Sequence, residues 1–593
     1  MDFEIVASRW REIEEKSSVL EMTGILASLL KETPPGEVEW VVYLCQCQVA
    51  PPYKGVDLGV GEKLLMNAIA KATGYQRAEI EKMFTDSGDL GLVAEKLVGG
   101  RRQRPLFSER LSVKKVYETL YKIAASSGEG SQNAKVNGVV ELLNAATPLE
   151  ARYLARLPTG ELRLGIRDPT ILNALSLIAS GTKELREEIE DKYNIHPDLG
   201  EIAREFLSKG AGALKKISIE LGVPIRPALC ERLSSAEEIL EKMNGKTAVD
   251  SKYDGFRLQV HKKGSKVMLF SRQMEDMTAM FPDVVAGVLA QVKARDCVLD
   301  CEALAFDAKT SQFFPFQTTM QRRRKHGIDA MAKKYPLKAF VFDVLYLNGK
   351  NLISEPYSRR RKLLEENLKK GETLLPSDQI IASTPGELDK FFNSLIERGL
   401  EGIIAKKLDA PYIPGKRKMA WVKLKRDYQQ TLGDTIDVVI VGYYKGGGVR
   451  AQFGLGGLLA AVYDDEKDLF KTISKIGTGF TEEQLKRFSE VLARSSRKEK
   501  PASVESIEKP DVWVEPRHVV TVKAAEITRS SIHTCRRDFE NEGYALRFPR
   551  IIGDFREDKK PEDATTVEEI VEMFSLQKRQ RTNFTFGETE EES

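Results

Sequence analysis

Residues 250–257 read Asp-Ser-Lys-Tyr-Asp-Gly-Phe-Arg, and what Lys252 does in this octet decides how the rest of the chain is read. Asp-Gly is a turn signal, and a lysine beside a turn is ordinarily a solvated side chain. The alternative is a nucleophilic amine held between charged neighbours, with Asp254 two residues on and Arg257 five residues on. In a chain of 593 residues, a K-x-D-G match arises by chance with odds on the order of one in ten. The octet alone does not decide between the two.

Working outward, the sequence after Lys252 has a hydrophobic period of two. The runs 257–261 (R-L-Q-V-H) and 267–272 (V-M-L-F-S-R), joined by K-K-G-S-K, predict a hairpin, and 297–307 and 339–347 predict further strands. A helix is expected over 358–368, so this middle portion reads as α+β. It begins at V-P-I-R-P-A-L (223–229), where two prolines disfavour helix.

Before that boundary, over 1–222, the period is helical. In 10–30, Trp10, Ile13, Leu20, Leu26 and Leu30 recur at helical intervals, and 111–124 and 171–179 repeat the pattern. Beyond 432 the runs 436–444 and 456–463, separated by K-G-G-G, predict short strands with glycine-rich turns, which suit a small barrel. The segment 577–593 is charged and aperiodic and reads as a flexible tail.

Bulk composition excludes more than it selects. Lys+Arg and Asp+Glu number 91 and 88, a net charge of +3, so any basic surface must come from local distribution. No run of about 18 apolar residues and no basic-then-apolar leader is present, and neither a membrane span nor secretion is expected. Cysteines 45, 47, 230, 297, 301 and 535 lack a second pair at zinc-ligand spacing. They are read as buried free thiols in a reducing compartment, with no structural zinc.

Further stretches bear on Lys252. S-R-Q-M-E-D-M-T contains Arg272, and L-D-C-E-A-L-A-F-D places Glu302 in an apolar strand. V-F-D-V-L-Y sets Phe342 beside Asp343, and E-G-I-I-A-K-K opens with Glu401. W-V-K-L-K puts Lys423 and Lys425 on one face of a strand, and R-F-P-R-I-I-G-D-F-R-E-D-K ends the series. Each has an ordinary reading: a salt-bridged strand residue for Glu302, a helix N-terminal carboxylate for Glu401, a core aromatic for Phe342, a basic loop around Arg417.

In this order the stretches resemble the motifs of covalent nucleotidyltransferases: ATP-dependent DNA ligases, RNA ligases and mRNA capping enzymes. The resemblance to ATP-dependent DNA ligases of the archaeal and replicative eukaryotic type spans nearly the whole chain. It includes S-G-D-L-G (87–91), S-S-G-E-G-S-Q (126–132) and P-E-D-A-T-T-V-E-E-I (561–570). It implies a multidomain chain: an all-α DNA-binding domain (1–222), an α+β adenylylation domain (223–431) and an all-β OB-fold domain (432–576).

It further implies that Lys252 carries AMP and passes it to the 5′-phosphate of nicked duplex DNA in replication, repair and recombination. Nucleotide contacts would come from Asp250, Arg257, Arg272, Glu302, Phe342, Arg417, Lys423, Lys425, Arg556 and Lys559. Phe342 would stack on adenine. Arg556 and Lys559, with Asp558 between them, would meet the β- and γ-phosphates. Glu302 and Glu401 would hold Mg²⁺ or Mn²⁺. At position 250 many relatives carry glutamate, so the aspartate here leaves nucleotide preference open between ATP, ADP and GTP.

Making a solvated lysine a free amine at pH 7 costs roughly 4–5 kcal/mol, and nearby cations such as Arg257, Lys423 and Lys425 would lower that cost. Basic stretches at 101–104 and 322–326 become candidates for DNA-backbone contacts. Gln103, Leu106 and Phe107, in Q-R-P-L-F, match an element that related ligases use to dock on a sliding clamp. The expected enzyme is monomeric and cytoplasmic, associated with the nucleoid if archaeal. The rivals are a capping guanylyltransferase, which labelling by GTP would favour, and a DNA-binding scaffold with a dead core.

Overall fold

The computed structural model describes residues 1–582 apart from 17, 102–109, 161, 234, 308–311, 315, 325, 399, 426–434, 447–452 and 538–541. The chain packs into two compact units. One comprises Met1–Glu231, Asp254–Asp378 and Lys406–Trp421, and the other Arg232–Tyr253, Gln379–Ala405 and Val422–Ser593.

The first unit opens with helices. The period read through 10–30 divides into two of them, Phe3–Glu14 and Val19–Glu32, the second capped by the Ser18 hydroxyl. Trp10, Ile13, Leu26 and Leu30 are core residues as expected, but Leu20 is 67% exposed. The break resets the helical phase, so spacing carried across it misplaces Leu20.

S-G-D-L-G combines a helix cap with a close approach between helices. Asp89 accepts a hydrogen bond from the Gly91 N–H at 2.8 Å and caps the helix Leu90–Gly99. A side chain at position 91 would lie 2.7 Å from the Arg152 carbonyl. Buried Arg156 joins this aspartate (2.6 Å) to Glu14 (2.9 Å), tying three helices together.

The same unit holds an antiparallel sheet in the order Lys266–Ser271, Phe256–Lys263, Asp296–Asp307, Leu337–Leu347, Lys350–Asn351. The hairpin expected from alternation is present, with Val260 opposite Leu269. Leu258, Leu299, Val341 and the helix Pro282–Gln291 make its core. Gly255 of K-Y-D-G has an ordinary φ; a Cβ there would lie 2.4 Å from the Ala303 carbonyl. The glycine is required by strand approach, not by the positive-φ turn that Asp-Gly advertises.

Arg322, expected on a DNA-facing basic stretch, is buried instead, its guanidinium on Asp283 at 2.7 Å and the Tyr335 carbonyl at 2.6 Å. It is a core ion pair, because Arg322 and Asp283 would each be uncompensated without the other.

In the second unit, Thr247–Lys252 pairs antiparallel with Gln379–Ala382 on one side and has the strand that starts at Gly402 on the other. The remainder is β-rich. Ile436–Tyr444 sits between Val512–Lys523 and Gly457–Asp464, and Leu469–Ile476 and Arg550–Phe555 extend the sheet. Val438, Ile440, Leu458, Ile473 and Val520 fill its core.

The final helix runs from Val567 to Thr582 and carries helical backbone into the segment read as a tail. Its Gln, Lys and Arg residues are good helix formers, although they lack an apolar stripe. Among the described residues, no helix is long and apolar enough to cross a membrane. No disulfide joins any of the six cysteines; four are buried, and Cys47 and Cys230 are half-buried.

Candidate active site

Lys252 is the last residue of the strand Thr247–Lys252. Glu401 reaches it from the segment before Gly402–Lys406, where its N–H donates to the Lys252 carbonyl at 3.1 Å. Gly402 makes that approach possible: at φ +144°, a side chain there would lie 2.2 Å from the Leu424 carbonyl. The Glu-Gly pair thus brings a carboxylate against two lysines, and Glu401 is ion-paired with both Lys252 and Lys425.

Lys423 and Lys425 alternate with buried Val422 and Leu424, as the period of two requires. Burial pushes the Glu401 carboxyl up, but Lys252 and Lys425 outweigh it and hold it below the usual carboxylate range. Of the cations expected around Lys252, Lys425 meets it through a shared anion, and that carboxylate favours the charged amine.

Asp250 is buried two residues earlier and accepts a hydrogen bond from the Gln379 side-chain amide at 2.5 Å, its ladder partner across the sheet. Nothing in the sequence flags Gln379; strand register pairs the two.

In the first unit, Phe342 is half-buried on the central strand Leu337–Leu347. Its ring lies 5.9 Å from Trp421 in an edge contact. Arg257 and Lys406 stand 5.5 and 4.8 Å from its centroid, within cation–π range. Lys406 is almost wholly buried and donates to the Phe342 carbonyl at 3.1 Å.

Arg257 was expected among the nucleotide contacts. Its guanidinium is committed to Asp300 (2.7 and 3.1 Å) and the Ala228 carbonyl (2.8 Å), and the Tyr412 hydroxyl donates to the same aspartate at 2.8 Å. Asp300, Tyr412 and Lys406 were missed by the sequence reading. The only local signal is that Asp300 stands two before Glu302 and shares its strand face.

Glu302 lies half-buried opposite Arg257 in the ladder, Arg272 is exposed just after the hairpin, and Arg417 begins the strand to Lys425. Gln103, Leu106 and Phe107 lie outside the described residues.

On the last motif, Arg556 and Lys559 both pair with Asp437, at 3.4 and 2.7 Å. Among the described residues, no group of three or more His, Cys, Asp or Glu side chains forms a closed metal cage. Glu401 instead offers one carboxylate beside the lysines, a donor set suited to Mg²⁺, which takes one or two carboxylates together with phosphate oxygens and waters.

Three family models align in chain order. They are a DNA ligase N terminus over 2–176, an ATP dependent DNA ligase domain over 227–425, and an ATP dependent DNA ligase C terminal region over 451–559. A probable DNA ligase of Dictyoglomus turgidum is 48% identical, covering 98% of this chain and 99% of its own length. DNA ligase 2 of Thermofilum pendens is 44% identical, covering 98% of each. A solved structure titled "Pmar-Lig_Pre." shares the fold at a TM-score of 0.56 and 17% identity, covering 93% of this chain and 99% of that one.

A strand-end lysine followed by the nucleotidyltransferase motifs in order, in a multidomain chain with helical and β-rich parts, defines a nucleotidyltransferase that works from ATP. Within that class, the chain belongs to the ATP-dependent DNA ligase family.

Proposed function

We propose that Lys252 is the nucleophile of a three-step nick-sealing reaction; the observation that carries this is the ion cluster of Lys252, Glu401 and Lys425. The neutral Lys252 amine attacks the α-phosphorus of ATP. The N–P bond forms as the bond to the bridging oxygen breaks, pyrophosphate leaves and the amine loses its proton. An oxygen of the nick's 5′-phosphate then takes the AMP and frees the lysine. Finally the 3′-hydroxyl attacks that phosphate, the phosphodiester forms and AMP departs.

Lys425 and Lys423 favour the neutral amine and stabilise charge growing on the α-phosphate, while Glu401 opposes deprotonation until it is drawn away. A Mg²⁺ or Mn²⁺ ion held by Glu401, with Glu302 as the second carboxylate, would neutralise phosphate charge when bound. Phe342 would receive the adenine ring, with Asp250, Arg257, Arg272 and Arg417 around the nucleoside. Arg556 and Lys559 would meet the β- and γ-phosphates.

The domains of this reading are helical 1–222 for the duplex, 223–431 for adenylylation and an OB-type barrel over 432–576. Nicked duplex DNA is bound by backbone rather than base contacts, which makes binding salt-sensitive. Gln103, Leu106 and Phe107 would dock a sliding clamp; clamp co-elution unchanged in Phe107→Ala removes that element.

The test is incubation with α-labelled ATP, and separately GTP, with Mg²⁺, then denaturing electrophoresis and a chase with nicked DNA. Label from ATP that survives denaturation and leaves as the nick is sealed supports the scheme. Label from GTP alone, or none from either, overturns it.

A further inference from the structure

Asp437 is an aspartate in a run that otherwise belongs to the core. In I-D-V-V-I-V the neighbours Ile436, Val438, Val439, Ile440 and Val441 are fully buried, and Asp437 itself is 8% exposed. A carboxylate so placed requires partners. Thr521, opposite it in the ladder, donates its hydroxyl at 2.6 Å. The Asp437 N–H donates to the Thr565 hydroxyl at 3.1 Å, and its carbonyl accepts from the Thr565 N–H at 2.9 Å. Thr521 thus holds the carboxylate itself, and Thr565 holds the backbone that carries it.

Onto this fixed anion come two cations of the last motif. The Lys559 ammonium lies 2.7 Å from it, and the Arg556 guanidinium donates to both its oxygens at 3.4 Å. The Arg556 backbone is held by the Val519 carbonyl at 2.8 Å, and the other edge of its guanidinium is taken by Asp558 at 2.6 and 2.8 Å. Arg556 and Lys559 each remain about one-third exposed, so both are anchored yet still reach solvent. Without Asp437 the two like charges would repel, Lys559 would lose the ion pair that sets its rotamer, and Arg556 would be left with Asp558 on its other edge.

We propose that Asp437 is a positioning residue for lysine adenylylation: it holds Arg556 and Lys559 together as one clamp for the departing pyrophosphate. The proposal rests on the reading that these two cations serve the ATP-dependent step. Asp437 does not touch the reacting atoms; it sets where the cations stand before ATP arrives, the preorganisation on which electrostatic stabilisation depends.

The test compares two reactions of full-length Asp437→Asn: single-turnover adenylylation of Lys252 across ATP concentrations, and sealing of a nick already adenylylated at its 5′ end. The first is expected to fall about tenfold to a hundredfold, with a raised KM for ATP. The second is expected to stay within about twofold of the parent chain, a split that general damage to the fold would not give. Asp437→Glu should recover part of the loss.

Equal loss in both reactions, or no loss in either, overturns the proposal. If Asp437→Asn does not fold by circular dichroism, Thr521→Val, which removes the hydroxyl orienting the carboxylate, should show the same split at smaller size; an unsplit result there also overturns it. Arg556→Ala separates the two layers. If it adenylylates normally, the reading of the last motif falls and the proposal with it. If it adenylylates poorly while Asp437→Asn is normal, the role of Asp437 alone falls.

Discussion

Two carboxylates, Glu401 and Asp343, are both matched by cations, and the difference between them separates a reactive cluster from a structural one. Asp343 and Arg360 are wholly buried, 0% exposed on each side, and meet through two hydrogen bonds of 2.8 and 3.0 Å. The remaining guanidinium nitrogen is taken by the carbonyls of Glu355 and Ala410. That pair is closed. Glu401 is 22% exposed and shared between two ammoniums, each of which also meets solvent. A shared, half-open carboxylate can release one partner to a phosphate or a cation; a sealed bidentate pair cannot without leaving a buried charge.

The comparison breaks most sharply at Lys252. Lys252→Ala is expected to abolish lysyl-AMP formation and to lower single-turnover sealing by at least about a thousandfold, while costing the fold no more than about 1–2 kcal/mol. Retained label in that variant would move the nucleophile elsewhere.

Arg360→Ala should behave in the opposite way. It leaves Asp343 buried and unpaired and should destabilise the fold by about 3–5 kcal/mol, read as a shifted denaturant midpoint. An unchanged midpoint would show that the closed pair is dispensable.

Glu401→Gln sharpens the contrast through pH. The Glu401 carboxyl is held low in the folded chain, so its stabilising contribution is present above the ordinary value of 4.5 and is lost as pH falls through the lowered value. The variant should be less stable than the parent by about 1–2 kcal/mol near pH 7. Urea titrations should show that gap closing on the acid side of 4.5. A gap that is constant with pH would mean that the lysines do not depend on the charge of Glu401.

The smallest effect is expected at Leu20. Leu20→Ser, on the outward side of its helix, should change stability by less than about 0.5 kcal/mol, whereas Leu26→Ala, at a core position, should cost about 2–5 kcal/mol. Similar losses at the two positions would restore the unbroken helical phase through 10–30.

The motifs were legible as contiguous stretches of sequence, not as placed side chains. Strand alternation sets Lys423 and Lys425 on one face, and the order of the short motifs carries the family resemblance. The glycines of K-Y-D-G and E-G-I-I were legible only as letters, since both meet a carbonyl of a distant strand, Ala303 and Leu424.

By itself, then, the sequence determined the helical, α+β and β-rich order of the chain, the lysine that heads the motif series and the family to which it points. Periodicity and motif spacing are properties of contiguous residues. Tertiary structure alone decided that Arg322 is a core cation, that Arg257 is committed to Asp300, that Glu401 joins Lys252 to Lys425, and that Asp437 gathers Arg556 and Lys559. A charged residue reads the same in the sequence whether water or a counter-ion from a distant segment of the chain solvates it. Only the fold brings that counter-ion within about 3 Å.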